Sequence, residues 1–125
     1  MSANDRQEGG AHYAAEYQHW DFITDAGLSY LEGCATKYIS RARKKNGKED
    51  LKKAVHYVDK LIECRDKVIT YTVSQDVMLK LANRFCDAND LTPKEREAII
   101  AVCDWATDED LKEAKKLVED LLETQ

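Results

Sequence analysis

The stretch GLSYLEGCATKYISRARKKNGKEDLKKAVHYVDKLIE, residues 27–63, decides the fold. Ser29-Tyr30-Leu31-Glu32 reads as a capping box, in which the serine hydroxyl accepts from the third helical amide and the glutamate reaches back. Leu31, Cys34, Ala35, Tyr38, Ile39 and Ala42 then recur at the helical period as one apolar stripe. Arg41, Arg43, Lys44 and Lys45 suit the negative end of that helix, and Asn46-Gly47 stops it. A second helix opens with Glu49 and Asp50 in its first turn. It repeats the stripe through Leu51, Ala54, Val55, Val58, Leu61 and Ile62, out to about Thr70. Two stripes joined by a tight turn predict an antiparallel helical hairpin, residues 29–45 and 48–70.

Working outward, residues 1–11 are polar, contain Gly9-Gly10 and show no periodicity, which reads as a flexible tail. Residues 12–26 carry Tyr13, Tyr17, Trp20, Phe22 and Ile23, an extended lead-in followed by a short helix that Gly27 ends. Downstream, the β-branched run VITYTV (68–73) reads as the frayed end of the second helix, because no partner strand is evident. Ser74 caps a third helix with Val77, Met78, Leu81, Ala82, Phe85 and Cys86 inward. Thr92-Pro93-Lys94-Glu95 is a strong start signal for a fourth, which carries Ile99, Ile100 and Cys103. Thr107 opens a fifth, with Leu111, Ala114, Val118, Leu121 and Leu122. The expectation is an all-α fold, a compact bundle of about five helices. One helical domain covers 12–125, its basic hairpin part at 12–70 and its acidic helices at 74–125. Segments 48–63 and 108–123 agree at eight of sixteen positions. Convergence of strong helix formers explains this more simply than duplication.

A chain of 125 residues suits a single core. With 43% hydrophobic and 34% charged residues the composition is globular rather than disordered. No apolar run approaches the roughly 18 residues of a membrane span, and the N-terminus lacks a signal-peptide core, so the expected location is cytoplasmic. Cys34, Cys64, Cys86 and Cys103 form no metal-ligand spacing and read as buried small hydrophobes, with no metal site. The net charge is −5, yet residues 34–67 alone hold eleven Lys/Arg against five Asp/Glu. A local basic patch on an otherwise acidic protein points to a small anionic ligand and away from generic nucleic-acid binding.

At 100° per residue, Tyr30, Lys37, Arg41 and Lys44 fall on one flank of the first stripe. Asp50, Lys53 and Tyr57 fall on a corresponding flank of the second. Closing the hairpin would line a groove with cations, phenols and a carboxylate. That inventory matches a phosphate attached to an aromatic base. The competing reading is that these lysines and arginines simply run along a solvated helix face. There is no GxxxxGK[ST] loop, no kinase-type glycine-rich loop and no evident pair of magnesium-holding carboxylates.

His12-Tyr13, Gly27-Leu28, Gly33, Lys37-Tyr38, Arg41, Lys44, Gly47, Asp50, Lys53-Ala54 and Tyr57 together resemble a phage-encoded family, the domain of unknown function 3310. The resemblance covers roughly residues 12–63, about two-fifths of the chain, and the last 60 or so residues stand outside it. The family includes a small bacteriophage nucleotide kinase that phosphorylates deoxynucleoside monophosphates without a standard phosphate-binding loop. The resemblance implies Lys37, Arg41, Lys44 and Lys53 as phosphate contacts, with Tyr38, Tyr57, His12 and Tyr13 near the base or shaping the site. Lys37, Arg41 and Asp50 are then the catalytic candidates, Asp50 or His56 positioning or deprotonating a phosphate nucleophile. Cys34 stands where the family usually has asparagine. This departure replaces an orienting amide with a poorly hydrogen-bonding thiol and bears on catalysis more than on binding.

Three functions follow as expectations. The first is a nucleotide kinase-like enzyme, needing no resident cofactor beyond a nucleoside triphosphate donor and, where used, magnesium. The second is a protein that holds a nucleotide unchanged, such as a host defence signal. The third is an interaction module whose acidic helices, Asp104 to Glu123, contact a host protein. Homo-oligomerisation is expected too, with Trp20 and Trp105 as interface candidates.

Overall fold

The computed structural model describes residues 16–68 and 73–124. Six α-helices are present: α1 (His19–Ala26), α2 (Tyr30–Arg41), α3 (Lys48–Cys64), α4 (Gln75–Ala88), α5 (Pro93–Cys103) and α6 (Asp108–Glu123). Short 3-10 turns, Ala42–Lys44 and Arg65–Lys67, follow α2 and α3. Among the described residues there is no strand. The all-helical expectation holds, and the count is six once the short aromatic-rich α1 is included.

The start signals act as their chemistry requires. The Ser29 hydroxyl accepts from the Glu32 amide at 3.4 Å, and the Glu32 carboxylate accepts from the Ser29 amide at 2.9 Å. Thr92 and Glu95 form the same reciprocal pair at the head of α5, and Thr107 and Asp110 at α6. Ser74 caps α4. Each such cap contributes about 1 kcal/mol by satisfying amides that have no partner inside the helix. Gly27 ends α1 with φ 66°, and Gly47 opens α3 with φ 52°, a region where a side chain meets the backbone.

Two helix ends differ from the expected ones. The regular part of α2 stops at Arg41, not Lys45. The Ala42 carbonyl is drawn into the turn, accepting from Lys45 at 3.3 Å and Gly47 at 2.7 Å. The α-helix α3 stops at Cys64 rather than near Thr70, and Val68 is already extended at ψ 125°. Most of the β-branched run, residues 69–72, lies outside the described residues, as do the tail and the tyrosine and histidine at 12–13.

α2, α3, α6 and α5 each pack against the next, and α5 closes back on α2; α4 lies against α5 and α1. Arg41, late in α2, meets Asp50, early in α3, whereas Tyr30 at the head of α2 meets Tyr57. The similar helices α3 and α6 bury equivalent positions: Leu51, Ala54, Val58 and Leu61 in one, Leu111, Ala114, Val118 and Leu121 in the other. Asp59 and Arg65 pair with Lys115 and Asp108 along their solvated edge, which adds little. Phe22 of α1 stacks on Phe85 of α4 at 5.1 Å. Cys86 and Cys103 are buried, as small hydrophobes should be, but Cys34 and Cys64 are partly exposed.

Glu32 shows how a cap becomes a tertiary contact. It is only 2% exposed, and its second oxygen accepts from the Trp105 indole at 2.8 Å. Trp105 therefore faces inward, tying the α5–α6 connection to the head of α2. Trp105→Phe removes that donor and leaves a buried carboxylate oxygen unsatisfied. It is expected to lower stability by about 2 kcal/mol, measured by urea unfolding; a loss below about 0.5 kcal/mol would show that the bond carries little.

Candidate functional site

Lys37, Ser40, Arg41 and Lys44 stand at i, i+3, i+4 and i+7, so α2 and its terminal turn present them on one face. That face lines a small cleft, with about 30 Å³ of free space, against Gln18 and His19 at the head of α1 and Phe85 and Asn89 near the end of α4. Three of the four lysines and arginines expected to touch phosphate are thus in one place.

Their charges are not equally available. Arg41 makes a two-pronged pair with Asp50, Nε to Oδ2 at 3.1 Å and Nη2 to Oδ1 at 3.3 Å. Asp50 is completely buried, so its carboxylate balances the guanidinium beneath the cleft and does not line it. The Lys44 ammonium donates to the Asn89 carbonyl at 2.5 Å, covering the negative end of α4. Lys37 alone among these three has no carboxylate or carbonyl partner for its ammonium among the described residues.

His19 forms the opposite wall. Its Nε2 is 2.8 Å from the buried Thr36 hydroxyl, which itself lies within donating distance of the Glu32 and Gly33 carbonyls. The hydroxyl has one proton to give to a carbonyl, so Nε2–H donates to Thr36 and Nδ1 is left as an acceptor. Burial, with the Lys37 charge nearby, pushes the imidazole down to about 4. Below the ordinary value of 6.5 the unfolded chain takes up a proton that the folded protein refuses until about pH 4. Stability therefore falls across that window as pH drops. Wild type should lose on the order of 2 kcal/mol more than His19→Gln between pH 7 and 4. Equal losses in paired urea titrations would contradict this.

The second expected flank meets the first through aromatic rings. Tyr38 stacks on Tyr57 at 5.8 Å, Arg41 lies 4.8 Å over Tyr38, and the Lys53 ammonium lies 5.3 Å from the same ring. Tyr30 stands edge-on to Tyr57, and hydrogen bonding with Cys34 and Tyr57 raises its phenol to about 12. Lys53, Tyr38 and Tyr57 therefore form a ledge on the α3 side of Arg41, outside the cleft. One continuous groove was expected; Arg41 instead separates two faces. His12 and Tyr13 lie outside the described residues. His56 is solvent-exposed on α3.

Gln18, His19, Ser40 and Asn89 are cleft residues that the sequence did not single out. Lys37 and Ser40 share a helical spacing that could have been read; His19 and Asn89 arrive from other helices. No three His, Cys, Asp or Glu side chains gather into a metal-holding group among the described residues.

Residues 8–59 match a family model described as a protein of unknown function, DUF3310. The match spans α1, α2 and most of α3, and with them every cleft residue except Phe85 and Asn89. No curated protein and no solved structure matches the chain. The family description gives no activity, and less than half of the chain is matched. No helix among the described residues is long and apolar enough to cross a membrane.

Proposed function

We propose that the cleft binds the phosphate of a nucleotide, and that the protein is a phage-encoded, nucleotide kinase-like enzyme acting on nucleoside or deoxynucleoside monophosphates. The observation that carries the reading is the Lys37 ammonium, unpaired among the described residues, on the same face of α2 as Arg41 and Lys44. An anion entering there gains charge-assisted hydrogen bonds without first breaking an ion pair at Lys37.

Phosphoryl transfer asks for little else. An oxygen of the bound monophosphate attacks the γ-phosphorus of a triphosphate donor, the bond to the β-phosphate oxygen breaks, and two diphosphates leave. The attacking oxygen is already anionic at neutral pH, so no general base is required. Asp50 consequently acts through Arg41, as a positioning residue that fixes the guanidinium, and not as a base. Lys37 and Arg41 would stabilise the charge on the transferring group, chiefly by position.

A second reading, a holder that binds a nucleotide without turnover, is favoured by the same Asp50. It already neutralises Arg41 and leaves less positive charge than two phosphate chains demand. Incubation with a monophosphate, ATP and magnesium, followed by chromatography, separates the two. Diphosphate formation that disappears in Lys37→Ala supports the enzyme. A nucleotide that stabilises the protein but is recovered intact supports the holder. No thermal shift with any nucleotide would reject both and leave the acidic-helix interaction module.

A further inference from the structure

Glu32, the box residue that starts α2, also lines a second cavity, with about 190 Å³ of free space. The cavity lies among the α1–α2 link, the first turn of α4 and the end of α5, and it shares no lining residue with the cationic cleft. At roughly 30 Å³ per molecule it has the volume of about six waters. Yet Ala26, Leu28, Met78, Cys103 and Trp105 line it with apolar groups. Its charged lining residues, Glu32 and Asp104, are both acidic, and no lysine, arginine or histidine joins them among the described residues.

The electrostatics of Glu32 are one-sided. Its two oxygens accept from the Ser29 amide at 2.9 Å and the Trp105 indole at 2.8 Å, and both donors are neutral. They fill one acceptor position on each oxygen and leave the others open. No described lysine, arginine or histidine forms an ion pair with Glu32 or with Asp104, which accepts from the Gln75 amide at 3.0 Å. Burial, with the Glu32 charge nearby, pushes the Cys103 thiol up, so it stays protonated and adds no charge of its own. A buried carboxylate held only by neutral donors keeps a desolvation cost that a cation offsets.

We propose that this cavity is a second binding site, for a small amphipathic amine whose ammonium pairs with Glu32 and whose apolar body lies against Leu28, Met78 and Trp105. A bare metal ion suits it poorly: calcium takes six to eight oxygens, and no metal-holding group gathers here among the described residues. A purely apolar molecule would fill the space and leave the carboxylate without its missing charge. An ammonium with an apolar body answers both features at once, since a charge-assisted bond to a carboxylate is stronger where water is excluded. The site is independent of the phosphate reading, because Lys37, Arg41 and Lys44 take no part in it.

NMR titration that follows the Trp105 indole N–H tests this, with 2-phenylethylamine and its uncharged counterpart 2-phenylethanol as probes. In wild type the amine should shift that resonance saturably and bind at least about ten-fold more tightly than the alcohol. Glu32→Gln keeps a residue that serves in a capping box and should remove most of the preference. Leu28→Trp, which fills the cavity, should weaken both probes, and Lys37→Ala should bind the amine as wild type does. Equal affinity for the two probes in wild type, or no indole shift at millimolar amine, would overturn the proposal and leave the phosphate reading untouched. A folded Glu32→Gln variant that kept the full preference would overturn it as well. The wild-type comparison of amine with alcohol needs no variant, so it decides the matter even where Glu32→Gln does not fold.

Discussion

Asp50→Ala should lower the stability of the protein by about 3 kcal/mol or more. Asp50 is wholly buried and Arg41 nearly so, with 14% of its side chain exposed. Removing the carboxylate takes both hydrogen bonds to Asp50 from a guanidinium that has already given up most of its water. Losing one partner of a buried pair costs far more than the intact pair contributes, because the desolvation of the remaining charge is less well offset. For a domain of this size the expected fall in Tm is roughly 10 °C. Pairing Asp50→Leu with Arg41→Met removes both charges and should restore much of the loss. Urea unfolding of the single and double variants measures it. A single-variant loss below about 1 kcal/mol would mean that water and the other contacts of Arg41 compensate for the lost carboxylate.

Lys37→Ala should have the converse profile, with little effect on stability and a large one on binding. Its ammonium makes no ion pair among the described residues, and truncation of such a side chain ordinarily changes stability by about 0.5 kcal/mol or less. A charge-assisted bond to phosphate is worth about 1.5–3 kcal/mol, so nucleotide affinity should fall between roughly ten-fold and a hundred-fold. Lys37→Arg should keep part of the affinity, since the charge stays while the donor geometry changes. Raising the salt concentration should weaken wild type more than Lys37→Ala, because only wild type retains that charge. Equal affinities for wild type and Lys37→Ala would place the phosphate away from this cleft.

Much of the architecture was legible because local chemistry and global packing agree. Ser29-x-x-Glu32 and Thr92-Pro93-x-Glu95 announce helices that do begin there, and the stripes at Leu51–Leu61 and Leu111–Leu121 are buried as their spacing requires. What the sequence misplaced were helix ends. The Ala42 carbonyl and the extended Val68 are set by turn geometry that periodicity does not encode. The cationic half of the site was legible for a related reason. Lys37, Arg41 and Lys44 lie on one helical face whatever the fold. Their availability was not legible, since it depends on Asp50 and on the Asn89 carbonyl at the end of α4. Nor was the role of His19, which lies seventeen residues from Thr36 and reaches it only when α1 docks on α2. Trp20 and Trp105 illustrate the same limit. Both were candidate interface residues by composition; the fold leaves Trp20 half exposed, while the Trp105 indole donates to a buried carboxylate.

The most direct test of the central claim is an amide ¹H–¹⁵N NMR titration of the 14.3 kDa protein with a nucleoside monophosphate. Saturable shifts are predicted at residues 18–19, 37–44 and 89, around the cleft, and they should vanish in Lys37→Ala. Shifts centred on Lys53 and Tyr57 instead, or none at millimolar nucleotide, would contradict the assignment of this cleft as the phosphate site.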